Sequence, residues 1–135
     1  MTDRRTFIKG AVVAVAMTKL AGATSAIAAQ NQSWKGLVYT AADEGMWKGK
    51  AYGHLPEITV AEGKVTVKTG HGMSEAHFIV RHTLLGADGT VLGGAVFTPA
   101  DKPVSTYDLP KGYKGKLMAT SFCNLHDLWL AEITV

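Results

Sequence analysis

Glu57-Ile58-Thr59-Val60 and Lys64-Val65-Thr66-Val67-Lys68 alternate polar and apolar residues, with Glu62-Gly63 between them. Side chains of a strand point to opposite faces in turn, so each run offers one apolar face to a core and one polar face to water. A two-residue step ending in glycine closes such a pair into a hairpin. Downstream the pattern repeats. His77 to Leu85 reads as a strand, Asp88-Gly89 as a turn, and Thr90 to Phe97 as the returning strand. Lys116 to Cys123 and Trp129 to Val135 read as two more. Upstream, Trp34, Leu37, Val38 and Tyr39 read as a first strand, and Trp47 lies in a glycine-rich loop. Pro99, Pro103 and Pro110 punctuate a looser segment around Tyr107. No helical periodicity follows the first 28 residues. Short strands with regularly spaced turns predict an all-β, antiparallel sandwich.

The N-terminus has a different character. Asp3-Arg4-Arg5-Thr6-Phe7-Ile8-Lys9 is followed by apolar, small residues from Gly10 to Ala16, and Ala26-Ile27-Ala28 has the small-x-small form of a signal-peptidase site. Residues 1–28 are expected to be a twin-arginine signal peptide, and 29–135 a single β-sandwich domain. The apolar stretch is interrupted by Lys19 and is short for a membrane span, so no membrane anchor is expected in the mature form. The whole chain has 14 basic and 11 acidic residues. Without Arg4, Arg5, Lys9, Lys19 and Asp3 the remainder carries 10 of each. A formally neutral domain gives no electrostatic reason to bind nucleic acid or a membrane surface.

Cys123 is the only cysteine, so no internal disulfide exists. An unpaired thiol in an exported protein is open to oxidation unless it is buried or coordinated. His126 follows it by three residues, a spacing at which the chain turns back and both side chains reach one ion. His71 and His77 lie six apart, with Gly70 and Gly72 flanking the first, and His54 precedes Leu55-Pro56. One thiolate with several imidazoles suits a redox transition metal. His82 is five residues from His77; in a regular strand the two face opposite ways, and His82 reads as a surface or cross-strand histidine beside Arg81. A cupredoxin-type copper carrier would need a methionine soon after the second histidine, and Asp127 to Val135 has none. Structural zinc takes four donors, whereas five are available here.

These stretches resemble the iron domain of the superoxide reductases, the neelaredoxin and desulfoferrodoxin family. His54-Leu55-Pro56 is similar to the family's His-Val-Pro. His71-Gly72-Met73 with Glu75-Ala76-His77-Phe78-Ile79 is similar to its His-Pro-Met and Glu-Glu-His-Tyr-Ile. Cys123-Asn124-Leu125-His126-Asp127-Leu128-Trp129 is similar to its Cys-Asn-Leu-His-Gly-Leu-Trp. The resemblance implies an immunoglobulin-like β-sandwich of about seven strands and a mononuclear Fe2+/Fe3+ site. His54, His71, His77 and His126 would supply the nitrogens and Cys123 the axial thiolate. With one cysteine, this would be the one-iron form. The implied activity is reduction of superoxide to hydrogen peroxide, with an external electron donor such as a rubredoxin-like or cytochrome protein, in the periplasm or another exported location. The family often forms homo-oligomers. Its usual Glu-Lys pair before the first histidine is replaced by Tyr52 and Gly53, so Lys48 and Lys50 are the candidates for drawing in the anion. Loss of that pair also leaves open an iron protein with a redox, electron-transfer or sensing role and weak superoxide turnover.

Overall fold

The computed structural model describes residues 34–135, and Gly36–Val135 form one compact unit. The expected signal peptide, residues 1–28, lies outside the described residues. Eight strands make up the unit: β1 (Val38–Tyr39), β2 (Pro56–Ala61), β3 (Lys64–Thr69), β4 (Ile79–Gly86), β5 (Val91–Val96), β6 (Val104–Asp108), β7 (Lys116–Cys123) and β8 (Asp127–Thr134). They pair into a five-stranded sheet, β1-β8-β7-β4-β5, and a three-stranded sheet, β2-β3-β6. The all-β sandwich is as expected. Among the described residues no helix is long and apolar enough to cross a membrane.

The opening hairpin forms in the register its alternation requires, with Ile58 opposite Val67 and Val60 opposite Val65. Glu62 and Gly63 both have positive φ, 53° and 74°, which matches the hand of a tight hairpin turn to the twist of its strands. Val65 and Val67 are fully buried, and meet Leu84 from β4 and Leu117 and Ala119 from β7. Each large aliphatic side chain so buried stabilises the fold by roughly 1.5–3 kcal/mol. A second cluster, Ile79, Phe97 and Cys123, with Met73 and Ala95 against it, lies at the end of the sheet where the candidate site forms.

Four expectations need correction. The pairing is not wholly antiparallel, because β1 runs parallel to β8, with Val38 opposite Leu128. The segment around Tyr107 is not loose: Val104–Asp108 is a strand paired with β3. The strand expected from His77 begins at Ile79, and His77 belongs instead to a turn closed by reciprocal bonds with Ser74. Finally, His82 is not at the surface. The register of β4 on β7 shifts between Ile79 and Arg81, so Ile79 and His82, three residues apart, both point inward. A bulge of this kind breaks the two-residue alternation on which the surface reading rested. His82 is wholly buried, with Nε2 2.8 Å from Thr69 Oγ1 and Nδ1 2.9 Å from Ser105 Oγ. It stands apart from the other four histidines, as the sequence implied.

Candidate metal centre

His54 ends a one-turn helix, α1 (Ala51–His54), rather than lying in an extended loop. The turn before it is organised by Glu44, whose Oε2 accepts the backbone N–H groups of Gly49 and Ala51, each at 3.0 Å. His54 Nδ1–H donates to the Lys50 carbonyl at 2.8 Å, which fixes the tautomer and leaves the Nε2 lone pair free to act as a donor atom. His71 follows the end of β3, and His77 closes the turn from Ser74. Asn124 fastens that turn to the Cys123 loop. Its Oδ1 accepts from Phe78 N–H at 2.9 Å, and its Nδ2 donates to the Ala76 carbonyl at 3.1 Å. Cys123 is the fully buried last residue of β7. His126 sits in the turn to β8, and its carbonyl accepts from the buried Trp129 indole N–H at 2.8 Å.

Donor atoms of His54, His77, Cys123 and His126 all lie within 4.8 Å of one another, and His71 joins them through His77 and Cys123. His71 Nε2 lies 2.9 Å from His77 Nε2, His77 Nε2 3.0 Å from His126 Nδ1, and His126 Nδ1 3.1 Å from His54 Nε2. Ring centroids of neighbours in this order are 4.3–4.7 Å apart, whereas His54 and His77 are 5.9 Å apart. The four rings therefore follow one another around a common centre in the order 71, 77, 126, 54, with His54 and His77 facing each other across it. Cys123 Sγ lies 3.2 Å from His77 Nε2, 3.6 Å from His126 Nδ1 and 3.9 Å from His71 Nε2. It sits to one side of the nitrogens. Among the described residues no carboxylate joins this group.

Hydrogen bonding does not explain the convergence. A ring nitrogen has one proton or one lone pair in the ring plane. His77 Nε2 nonetheless has three polar neighbours within 3.2 Å. Two nitrogens bonded at right angles to one ion at about 2.1 Å would be about 3.0 Å apart, and the spacings found are 2.9–3.1 Å. The donor set thus fits a single metal ion. The electrostatics agree, because a ligating imidazole must be neutral. Burial is the main force lowering the pKa of His54, to about 4; the Lys50 carbonyl opposes it and the other histidines add to it. Burial likewise lowers His71, with the Gly72 backbone working the other way, although His71 Nδ1 has no partner of hydrogen-bond geometry. His126 is lowered by burial, then by His77 and the Lys50 cation, and raised by Asp127.

The desulfoferrodoxin family model matches residues 44–132, which contain every one of these donors. This chain belongs to the desulfoferrodoxin family. It is 33% identical over 108 residues to a superoxide reductase from Thermococcus kodakarensis, covering 67% of this chain and 92% of that one. It is 35% identical over 82 residues to a desulfoferrodoxin from Syntrophotalea carbinolica, covering 58% of this chain and spanning only 61% of that protein's length. Among solved structures, a superoxide reductase (neelaredoxin) from Ignicoccus hospitalis is similar at a TM-score of 0.62 and 33% identity, over 73% of this chain and 94% of that one.

Sequence reasoning missed two residues of the site's surroundings. Trp47 packs edge-on against the His126 ring, with centroids 4.8 Å apart. Glu44 shapes the turn that carries Lys50 and His54. Trp47 had only its composition as a signal, and Glu44 had none. Of the two lysines proposed to draw in an anion, Lys50 is close enough for its charge to act on His126, and both are exposed.

Proposed function

We propose that this protein is an exported superoxide reductase with one iron at His54, His71, His77, Cys123 and His126. The observation that carries this is the convergence of four imidazole rings around one centre with one sulfur to one side. Iron held by that set supplies one-electron redox chemistry to a small molecule reaching it from solvent. Superoxide takes up one electron and two protons to leave as hydrogen peroxide, and an external donor, a rubredoxin-like or cytochrome protein, returns the electron. The relatives named as superoxide reductases support the substrate.

The chain's own groups have separable tasks. Burial holds the pKa values of His54, His71 and His126 below that of free histidine, so these three rings remain neutral donors at acidic pH values where free histidine is charged. Cys123, inside the second apolar cluster, provides a polarizable sulfur shielded from bulk oxidants. Tyr52, 99% exposed, and Gly53 carry no charge to draw in an anion. Lys50, and with it Lys48, takes over that attraction, and a local positive field speeds capture of a small anion. The twin-arginine leader exports the protein folded, with its metal in place.

Stopped-flow or pulse-radiolysis mixing of the reduced, iron-loaded protein with superoxide tests the reading. Oxidation of the site at a near-diffusional rate, with peroxide formed and no oxygen evolved, is expected. Oxidation no faster than spontaneous loss of superoxide would overturn it. K48A/K50A should slow capture and flatten its dependence on salt; an unchanged rate and salt slope would remove the lysines from the mechanism.

A further inference from the structure

His126 is held differently from His54. It presents Nδ1 to the cluster, lies in a turn, and has no side-chain hydrogen bond outside the donor group like the one that fixes His54. Its ring is instead braced by Trp47, at an interplanar angle of 89° and a centroid distance of 4.8 Å. Trp47 is fixed in turn, since its indole N–H donates to Asp127 Oδ2 at 2.9 Å across 80 residues of sequence. Asp127 immediately follows His126 and has φ of 65°, a left-handed conformation that glycine adopts far more readily. The backbone accepts this strain at the residue whose carboxylate meets the indole.

We propose that Trp47 and Asp127 form a latch that positions the His126 ring as a donor, closing the Glu44–His54 segment onto the turn after Cys123. The two residues are positioning residues: Asp127 acts through Trp47, and Trp47 through the His126 ring. The latch joins the segment before β2, which supplies His54 and Lys50, to the turn between β7 and β8, which supplies His126. Without it the His126 ring, which has no hydrogen bond outside the donor group, is free to rotate. Partners that orient a metal's ligands typically contribute 10- to 100-fold to metal retention. This inference rests on the five-donor reading above.

The test uses the full protein loaded with Co(II). A chelator in excess measures metal release, the cobalt bands report the ligand field, and thermal melting is followed with and without metal. D127G relieves the left-handed strain and removes the acceptor. D127N keeps an acceptor and tolerates the same backbone conformation. The latch predicts release about 10-fold faster in D127G, with altered cobalt bands. The metal-free D127G melting point should stay level or rise, because glycine suits that backbone. D127N should stay near the parent. W47F/D127G should release metal no faster than the faster single variant, since the residues act as one unit. A purely structural contact would lower the metal-free melting point and leave release unchanged, and that result overturns the latch. Additive effects of W47F and D127G on release overturn it too. A parent that takes up no Co(II) sinks the metal-site reading and the latch with it. A parent that holds Co(II) while D127G releases it at the same rate sinks the latch alone.

Discussion

Replacing His82 by glutamine should change how stability depends on pH. His82 has no exposed surface, and its neighbours are Thr69, Ser105 and the Phe97 ring. The network extends to Ser121 through Thr69 and to Tyr107 through Ser105, with no carboxylate to support a charged ring. Burial pushes its pKa from 6.5 down to about 4. A histidine with a depressed folded pKa stabilises the native state while it is neutral. That contribution is full above the unfolded pKa of 6.5 and is lost as pH falls towards 4. At about 1.4 kcal/mol per pH unit, the fall from 6.5 to about 4 amounts to roughly 3 kcal/mol. Glutamine does not titrate, so the variant lacks this loss. At pH 7, H82Q should be less stable by about 1–3 kcal/mol, because one hydroxyl of the network is left without its partner. By pH 4 the parent should have lost roughly 3 kcal/mol more than the variant, so the difference vanishes or reverses. Urea unfolding of the metal-stripped parent and variant between pH 4 and 7.5 measures this. The other buried histidines titrate in both proteins and cancel in the comparison. A parent-to-variant difference that stays constant across that range would refute the reasoning.

Three further outcomes follow from the geometry. N124A removes both bonds that bracket His77, so it should cost about 2 kcal/mol in urea unfolding and speed release of metal to a chelator by about 10-fold. An added Cβ at Gly93 would fall 2.2 Å from the Tyr107 ring, so G93A should push β5 from β6 and lower stability by about 1–3 kcal/mol, read as a lower urea midpoint with an unchanged slope. E62N places a residue that tolerates the left-handed region at φ of 53°, so a gain of a few tenths to about 1 kcal/mol in thermal unfolding is expected, and a loss would contradict the turn assignment.

Much of this architecture is legible in the chain because the two hairpins have one apolar and one polar face. Ile58, Val65 and Val67 alternate into the core, and Asp88-Gly89 turns between β4 and β5. β6 was illegible for the opposite reason. Its inward positions are Ser105, which pairs with His82, and Tyr107, while Val104 faces outward, so the strand has no plain alternation of apolar and polar residues. The inward turn of His82 depends on a bulge set by the pairing of β4 with β7, and no short window of sequence encodes it. The five donors stood out because cysteine and histidine are rare here and lie beside glycine, proline or a three-residue turn. The bracing of His126 by Trp47 did not, since it joins residues brought together only when β8 completes the larger sheet.

X-ray absorption at the iron edge of the iron-loaded protein tests the five-donor centre most directly. The account predicts four imidazole nitrogens at about 2.1 Å and one sulfur at a slightly longer distance. A shell of nitrogen and oxygen alone, or a tetrahedral site that omits two of the histidines, would contradict it.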